Sequence, residues 1–325
     1  MKYLYFINIL KINNFIKNII SYIFSRTTKK VHIYGKPSFS SFELSSRCNL
    51  NCTQCDVGNH LTNRKNNFLN YNQYCNIINE IGITLLDAMF YFQGEPLLNK
   101  NFSKYISYAK QYNIYTIIST NAQLINKNIA IDIVKLGLDK IIISIDGTTQ
   151  DVYEKYCKGG SLEKCIKAIN FLKKAKTELS SKTPCIEAQF IVFRFNQHQI
   201  NEFKKLEPIW GADKISIKSA QIYSPNKNSD IIPTTNKYNR YHKIKNEWKI
   251  KKDFSKACFR AWYGMVVSAD GNILPCCFDK QEKYIYGNIK DNKVENIWKN
   301  KKANNFRNTL LNKRESINIC CNCNE

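Results

Sequence analysis

Short apolar runs alternate with amphipathic segments along residues 38–222. Runs rich in isoleucine, phenylalanine and tyrosine predict β-strands. The predicted strands are 39–45, 86–92, 115–119, 140–145, 186–194 and 214–218. Between them, apolar residues recur at three- and four-residue intervals, which predicts helices. These predicted helices cover 71–81, 102–111, 128–136, 162–175 and 199–206.

This alternation predicts an α/β fold. Strands that alternate with helices form a parallel sheet joined by helical crossovers. Six such units are too few for a closed eight-stranded barrel and suit an open, partial (β/α)6 barrel of the TIM type. In parallel α/β folds the ligand site lies at the carboxyl ends of the strands. Functional residues are therefore expected where the predicted strands end.

The pattern changes after residue 223. Residues 224–230 form a polar linker, and the basic stretch that follows is predicted to be helical around 238–249. A small cysteine-rich α+β module then begins at Cys258. Its residues 265–274 predict a β-hairpin, because an Asp-Gly turn stands between apolar runs. The predicted divisions are an extension at 1–36, a barrel at 37–223, a linker with a helix at 224–257 and the module at 258–325.

The first residues predict an amphipathic helix. Its polar face carries Lys11, Asn14, Asn18 and Ser21. Its apolar face carries Ile9, Leu10, Ile12, Phe15, Ile16, Ile19, Ile20 and Ile23. The segment is too polar to span a membrane and lacks the small-residue cleavage site of a signal peptide. Two roles fit this pattern: the helix lies on a membrane surface, or it packs on the body of the protein.

The formal charge of +23 arises from 49 basic and 26 acidic residues. A solvated basic surface, an acidic membrane surface or an anionic substrate would each account for it. No nucleic-acid partner is favoured, because the sequence contains no helix-turn-helix, zinc-finger or RNA-binding signature.

The thirteen cysteines concentrate at 48–55, 258–277 and 320–323. Such clusters indicate metal ligation in a reducing compartment. A cytoplasmic location is therefore expected, peripheral to the inner membrane surface if the first helix binds lipid.

Three cysteines follow the first predicted strand with the spacing C-x3-C-x2-C. They are Cys48, Cys52 and Cys55. Cysteine thiolates are the usual ligands of iron–sulfur clusters. Three thiolates can hold three irons of a cubane cluster and leave the fourth iron open for chemistry, much as an open position serves at catalytic zinc. A zinc site or three unrelated buried cysteines are the alternatives.

Polar residues follow three further predicted strands. Gln93-Gly94-Glu95-Pro96 follows the second strand, Ser119-Thr120-Asn121 ends the third, and Ser144-Ile145-Asp146-Gly147 ends the fourth. Four neighbouring strand ends with polar groups indicate a binding site rather than a core.

These motifs resemble those of the radical S-adenosylmethionine (SAM) superfamily, in the branch with a C-terminal SPASM or twitch-type module, over about residues 37–325. The resemblance implies that Cys48, Cys52 and Cys55 bind a [4Fe-4S] cluster whose open iron takes the amino and carboxylate groups of SAM. It also implies three sets of SAM contacts. They are Gly94, Glu95 and Pro96 at the ammonium, Ser119, Thr120 and Asn121 at the ribose, and Ser144 with Asp146 near the carboxylate or ribose. Ordinary turns are the alternative at each strand end, and Asp146 could instead cap the next segment.

Three positions depart from the family pattern. Gln93 replaces the first glycine of Gly-Gly-Glu-Pro, and Ala122 replaces the glycine that follows Ser-Thr-Asn. Cys157 stands where the family often has an arginine that pairs with the SAM carboxylate. Lys155, Lys158 and Arg194 are candidates to supply that charge, although lysine lacks the bidentate fork of arginine.

The resemblance assigns Cys258, Cys276, Cys320 and Cys323 to one auxiliary [4Fe-4S] cluster. The adjacent Cys277 and Cys321 could replace their neighbours as ligands, and four thiolates also suit the zinc of a zinc ribbon. Four protein ligands leave no open iron. This second cluster would therefore transfer electrons or brace the module.

The activity implied by the resemblance is reductive cleavage of SAM to methionine and a 5′-deoxyadenosyl radical, which takes a hydrogen atom from a substrate. An electron donor such as flavodoxin or ferredoxin is expected. Oxidation of a small alcohol or sugar is favoured, because the segment before the first strand is too short for a peptide-binding domain. Modification of a peptide is the alternative. A non-catalytic iron–sulfur or zinc protein on the same fold is the alternative of another class.

Overall fold

Six parallel strands form the centre of the molecule. The computed structural model describes residues 8–62, 64–65, 67–222, 224–251 and 257–323, with the side chain of residue 207 left out. The strands are β1 (Phe39–Phe42), β2 (Asp87–Met89), β3 (Tyr115–Thr120), β4 (Lys140–Ser144), β5 (Cys185–Val192) and β6 (Lys214–Ser219). Each pairs in parallel with the next along the chain. The predicted partial barrel of six parallel strands is therefore confirmed.

Amphipathic helices connect these strands. They are α2 (Tyr71–Ile81), α3 (Phe102–Lys110), α4 (Lys127–Lys135), α5 (Gln150–Tyr156), α6 (Leu162–Glu178) and α7 (Ile200–Trp210). Asparagine or serine side chains cap the first turns of α2, α4 and α6, where backbone N–H groups lack partners within the helix. The main core lies between these helices and the outer face of the sheet. The short α5 is an addition to the helices that the sequence predicts.

The C-terminal module extends the barrel sheet. The predicted hairpin at 265–274 is confirmed as β9 (Gly264–Val267) and β10 (Asn272–Leu274), followed by β11 (Gly287–Asn288). β9 pairs in parallel with β1, so one sheet runs in the order β11-β10-β9-β1-β2-β3-β4-β5-β6. The module thereby covers an edge of β1 that would otherwise expose unpaired backbone groups. Four helices complete it: α8 (Arg260–Tyr263), α9 (Val294–Lys299), α10 (Lys301–Asn312) and α11 (Asn318–Cys321).

The predicted helix around 238–249 is wrong. This stretch forms an antiparallel hairpin of β7 (Tyr241–Ile244) and β8 (Glu247–Ile250). Its two turn residues, Lys245 and Asn246, both have positive φ, at 44° and 65°. A two-residue turn of this kind matches the twist of the paired strands, and asparagine tolerates it better than most residues. The turn therefore decides the structure of a segment whose basic residues favour no particular fold.

The barrel interior is apolar on one side and charged on the other. Side chains of β2, β3 and β4 form a small apolar cluster that includes Tyr115, Ile117 and Ile142. Between β4 and β5, Lys140 Nζ lies 2.7 Å from Glu187 Oε2, and Glu187 is buried. Because side chains alternate along a strand, Ser119 and Ser144 point to the same interior face as Ile117 and Ile142. Both serines therefore face the barrel lumen near its carboxyl edge.

A buried carboxyl group in β2 predicts a pH-dependent stability. Burial raises the pKa of Asp87 from its usual 3.8 to about 7, although Arg260 opposes the shift. A carboxyl with a raised pKa in the folded state costs no stability at low pH and lowers stability as the pH rises towards 7. We expect Asp87→Asn to raise the free energy of unfolding by roughly 2–4 kcal/mol at about pH 8 and to leave it unchanged at about pH 4. Urea unfolding across this range measures the effect. The exposed Asp132→Asn is the control, and an equal gain at both pH values would contradict the prediction.

Helix α1 (Ile9–Thr28) packs on the barrel through its polar face. The buried Lys11 Nζ donates to the carbonyl of Asn113 at 2.6 Å. Asn14 and Asn18 Nδ2 both lie within 3.0 Å of Ser38 Oγ and of a backbone carbonyl just before β1. Of the two predicted roles of this helix, packing on the body of the protein is observed. The helix makes this contact through its polar face and leaves its apolar face exposed. No helix in the described ranges is long and apolar enough to cross a membrane.

Candidate functional site

The loop that carries Cys48, Cys52 and Cys55 follows β1 and is held by backbone hydrogen bonds. The N–H groups of Asn51 and Thr53 donate to carbonyls at the end of α5, at 3.1 and 3.0 Å. Asn59 Nδ2 lies within 3.0 Å of three carbonyl oxygens of the loop, those of residues 52, 53 and 55. The loop conformation is therefore fixed by protein contacts alone, and it brings the three thiols to the carboxyl edge of the sheet.

The thiols of this loop resist ionisation in the protein alone. Burial raises the pKa of Cys48 to about 12. Burial also raises the pKa of Cys55, although the N–H of Gly58 and the nearby Lys280 oppose the shift. A bound metal cation offsets the cost of ionising these buried thiols, because a coordinated thiol is deprotonated. Three half-buried thiols in one ordered loop are the type of ligand that the predicted iron–sulfur cluster requires.

Gly94 lets the end of β2 approach the cysteine loop. A Cβ atom on Gly94 would lie 2.0 Å from the carbonyl oxygen of Ser45 and 2.6 Å from that of Arg47. The next residue, Glu95, donates its N–H to the Arg47 carbonyl at 2.7 Å. The predicted Gly-Glu-Pro motif thus lies directly against the residue that precedes Cys48. Pro96 begins a single 3₁₀ turn (Pro96–Leu98) and is buried.

The Glu95 carboxylate ties β2 to β3. It is 3% exposed and accepts hydrogen bonds from the Leu97 N–H at 3.1 Å, the Thr120 hydroxyl at 2.7 Å and the Asn121 N–H at 2.9 Å. Burial nevertheless raises its pKa to about 7, against these hydrogen bonds. The structure thus gives this carboxylate a positioning role between two strand ends. A contact with the SAM ammonium stays a prediction.

The third strand end brings a side chain to the cluster loop. Asn121 Nδ2 lies 2.8 Å from Asn49 Oδ1 and 3.7 Å from Cys48 Sγ. Ser119 points to the barrel interior, whereas the Thr120 hydroxyl donates a hydrogen bond to Glu95. The three predicted ribose contacts therefore differ in position. Ser119 and Asn121 border the open side of the site, whereas Thr120 is buried and bonds to Glu95.

Ala122 occupies a left-handed conformation, with φ at 60°. Such a conformation costs about 1–2 kcal/mol for a residue with a Cβ atom. We expect Ala122→Gly to raise the free energy of unfolding by roughly 0.5–1 kcal/mol, because glycine relieves this strain but gains freedom in the unfolded chain. Urea unfolding measures it. Ala130→Gly, in the interior of α4, should instead destabilise by about 1 kcal/mol. Destabilisation by both changes would contradict the strain argument.

Asp146 serves the interior of the fold. Its side chain is fully buried, and Oδ1 accepts the Ile191 N–H at 2.7 Å while Oδ2 lies 3.7 Å from Cys157 Sγ. Burial raises its pKa to about 7. Because Thr149 is the residue before α5, Asp146 does not cap that helix. These contacts favour a supporting role for Asp146, and its contact with SAM stays a prediction, as does that of Ser144.

Cys157 lies beside the cluster loop where the family often has arginine. It is buried, and its pKa is raised well above the usual value, first by a hydrogen bond to Cys52 and then by burial. Arg194 is exposed and donates Nε to the carbonyl of Ile232 at 2.9 Å. Lys155 and Lys158 are exposed as well. The position is thus filled by a neutral thiol that contacts a predicted cluster ligand.

The second set of cysteines lines one small cavity of the C-terminal module. Cys258, Cys276, Cys320 and Cys323 line this cavity together with side chains of α10. Cys277 does not line it and instead lies 3.4 Å from Arg260 Nη1. Cys321 is exposed, with Sγ 3.1 Å from the carbonyl of Glu315. The geometry therefore favours Cys276 and Cys320 over their neighbours as ligands.

The thiols of this cavity also fit a bound cluster. Burial raises the pKa of Cys320 to about 11, although Arg314 opposes the shift, and raises that of Cys276 well above its usual value. Thiols buried around one cavity are costly to ionise unless a cation is present. An iron–sulfur cluster with four cysteine ligands supplies that cation.

Polar contacts that the sequence did not predict join the two cysteine sets. Arg64, in the segment after the cysteine loop, pairs with the buried Glu43 of the barrel and lies 2.6 Å from Glu282 of the module. Gln281 Nε2 donates to Asp56 at 2.8 Å. The partners in the Arg64–Glu282 and Gln281–Asp56 contacts lie more than 200 positions apart in the chain, so no local sequence signal could indicate these two pairings. The contacts fix the module against the cysteine loop.

A cavity of about 800 Å³ opens between the cysteine loop, the β7–β8 hairpin and the C-terminal module. Its lining includes Asp56 beside the first cysteine set and Asn322 beside the second. The hairpin contributes His242 and Trp248, and the module contributes Lys280. A cavity of this size accommodates a small molecule, and its lining combines apolar side chains with hydrogen-bonding groups.

Comparison with known proteins identifies two domains. Residues 42–186 match the model of the radical SAM superfamily, and residues 258–324 match the model of SPASM, an iron–sulfur cluster-binding domain. The tungsten-containing aldehyde ferredoxin oxidoreductase cofactor-modifying protein of Pyrococcus furiosus is 23% identical over 319 residues, with 86% of this chain and 85% of that protein covered. The GTP 3′,8-cyclase of Clostridium botulinum is 23% identical over 218 residues, with 61% and 66% covered.

Solved structures share the fold. BtrN in complex with AdoMet and 2-DOIA superposes with a TM-score of 0.55 at 18% identity, covering 89% of this chain and 93% of that chain. SuiB of Streptococcus suis bound to SAM superposes with a TM-score of 0.65 at 16% identity, covering 90% and 73%. At these identities the likeness concerns the fold alone.

Proposed function

The chain belongs to the radical SAM superfamily and carries a C-terminal SPASM domain, and from this premise we propose that it oxidises a small alcohol- or sugar-type substrate by abstraction of a hydrogen atom. SAM and [4Fe-4S] clusters, an auxiliary cluster included, are the cofactors of these domains. When bound, SAM and the reduced cluster supply a 5′-deoxyadenosyl radical, the agent of hydrogen abstraction.

The protein's own residues would position the cofactors and exclude water. Cys48, Cys52 and Cys55 would hold the first cluster, in a loop that Gly94 and Asn59 keep in one conformation. Glu95 fixes the ends of β2 and β3, so that Asn121 stays beside Cys48. A protein that directs cofactor chemistry contributes this orientation and shielding.

The C-terminal module would hold the auxiliary cluster close to the substrate. Cys258, Cys276, Cys320 and Cys323 would be its ligands, and one-electron transfer is the chemistry that such a group supplies. The Arg64–Glu282 pair and the Gln281–Asp56 hydrogen bond keep the module against the rim of the first site. An external donor such as flavodoxin or ferredoxin would deliver the electron that starts the reaction.

The observation that carries the proposal is the cavity of about 800 Å³ that opens beside the cysteine loop, at Asp56, and beside the C-terminal module, at Asn322. Among its apolar side chains, the lining includes Asp56, Gln221 and Asn322, whose side chains can form hydrogen bonds with a hydroxyl-bearing compound.

A peptide substrate is the second candidate. The observation that favours it is the two-stranded β7–β8 sheet at the cavity rim, where His242 and Ile244 line the opening. An extended peptide can add a strand to such a sheet through backbone hydrogen bonds. This candidate shares the radical chemistry and differs only in what occupies the cavity.

The test is anaerobic reconstitution followed by an assay of SAM cleavage. We expect about eight irons per chain for two [4Fe-4S] clusters, and formation of 5′-deoxyadenosine when dithionite and SAM are added. Deuterated polyols and sugars, and separately peptides, then serve as substrates, and deuterium in 5′-deoxyadenosine reports abstraction. Full iron loading without SAM cleavage would identify a non-catalytic iron–sulfur protein. Deuterium transfer from peptides alone would favour the second candidate.

A further inference from the structure

The outward face of α1 is apolar and exposed. Its residues, here called the apolar face of α1, are Ile9, Leu10, Ile12, Ile16, Ile19, Ile20, Ile23 and Phe24, each between 37% and 68% exposed. Of the fifteen large hydrophobic residues that are exposed in the described part of the chain, these make up eight. A contiguous apolar stripe of this extent on a soluble surface marks an interaction site.

The fold prevents this face from turning inward. The opposite face of α1 is hydrogen-bonded to the barrel through Lys11, Asn14 and Asn18, and Ser25 Oγ accepts from the indole N–H of Trp262 at 3.1 Å. Rolling the helix to bury the isoleucines would leave these buried polar groups without partners, which is costly. The exposed orientation of the apolar face is therefore built into the structure.

The charged residues of the chain segment that contains α1 are all basic. Residues 1–42 contain no aspartate or glutamate. On the helix, Lys17 and Arg26 are exposed on either flank of the apolar stripe, and Lys29 and Lys30 are exposed just beyond its end. An apolar face flanked by basic side chains is the pattern of a helix that lies in the plane of a lipid interface. Basic residues next to a bilayer attract anionic headgroups.

We infer that α1 docks the protein on the surface of an anionic lipid bilayer. The apolar face of α1 would enter the boundary between headgroups and acyl chains, while Lys17, Arg26, Lys29 and Lys30 contact anionic headgroups. A second copy of the chain fits less well, because pairing two such faces would bring the same cations together.

The position of α1 on the barrel determines how the candidate site would be oriented relative to the membrane. Its polar residues bond to Ser38 and to the carbonyls of Tyr112 and Asn113, which lie just before β1 and β3 at the amino ends of the strands. The cysteine loop and the large cavity lie at the carboxyl ends, on the opposite side of the barrel. Docking would thus place the enzyme at the membrane with its cavity directed away from the lipid. The inference concerns location and does not depend on the substrate.

Co-sedimentation of the full-length, cluster-loaded protein with lipid vesicles tests the inference. We expect at least about tenfold stronger binding to phosphatidylcholine vesicles that contain phosphatidylglycerol than to phosphatidylcholine alone. About 1 M salt, where the screening length is about 3 Å, should weaken this binding. Ile16→Asn with Ile20→Asn should weaken it at least about tenfold, because these side chains lose their apolar contact with lipid.

The matched control is Leu179→Asn with Ile209→Asn, which changes two exposed apolar residues outside α1 and should leave binding unaltered. Iron content and circular dichroism of each variant report on folding, so a loss of lipid binding is separable from a loss of structure. Equal sedimentation of both double variants with anionic vesicles would overturn the inference. So would a dimer that dissociates only in the Ile16→Asn, Ile20→Asn variant and never binds vesicles, which would identify this face as a contact between copies.

Discussion

Cys48→Ala is expected to abolish reductive cleavage of SAM, with 5′-deoxyadenosine formation lower by at least about a thousandfold, since residues that act as a unit in catalysis lose nearly all activity when one is removed. The reason is that two thiolates cannot hold the three irons that leave one iron open. The bound iron should fall from about eight to about four per chain, because the auxiliary cluster has separate ligands. Iron analysis and chromatography of the reaction products measure both effects.

Cys75→Ala is the matched control for this variant. Cys75 is a half-buried free cysteine in α2, outside both cysteine sets. Its removal should leave the iron content and the product yield close to those of the parent protein. If Cys48→Ala still produced 5′-deoxyadenosine at the parental rate, the assignment of the first cluster to this loop would be wrong.

Gly94→Ala is expected to disrupt the same site without touching a ligand. Its Cβ atom would lie 2.0 Å from the carbonyl oxygen of Ser45, and backbone atoms cannot move aside as a flexible side chain can. Overpacking of this kind costs typically 1–3 kcal/mol and occasionally more, and we expect about 3 kcal/mol here. Any relief would shift the cysteine loop relative to β2, and a displacement of about 1 Å in a catalytic site lowers the rate roughly a hundredfold.

The control for the glycine change is Gly264→Ala in β9. A Cβ atom there would meet its nearest neighbour, the carbonyl oxygen of Arg260, at 3.4 Å, which is close to an ordinary contact. Thermal unfolding and SAM cleavage of the two variants should therefore differ sharply. Similar behaviour of both variants would show that the close approach of the strand ends is not needed for function.

The ligand motifs could be predicted from the sequence because their chemistry is local. Cys48, Cys52 and Cys55 lie within eight residues, so their spacing can be compared with that of cluster ligands without knowledge of the fold. The strand ends could also be predicted from the sequence, since a short apolar run that stops at polar residues is a local pattern. The departure at Ala122 is likewise visible in the sequence, but only the structure shows that its backbone is left-handed.

Contacts between distant segments could not be predicted in this way. Glu95 and Asp146 belong to motifs that suggest cofactor contacts, yet both carboxylates are buried and bonded to neighbouring strands. The choice of Cys276 over Cys277 depends on which side chain points into the cavity of the module, and adjacent residues point in different directions. The hairpin at 241–250 depends on two positive φ angles that no periodicity reveals.

The sequence by itself determined the six barrel strands, most of the helices between them, the two cysteine sets and the amphipathic character of the first helix, because each depends on residues close together in the chain. Only the tertiary structure decided which face of that helix is buried. The hydrophobic effect alone would bury the isoleucines. Here the carbonyls of residues 36, 112 and 113 and the hydroxyl of Ser38 bond to the polar face, and these groups meet only after the barrel has folded.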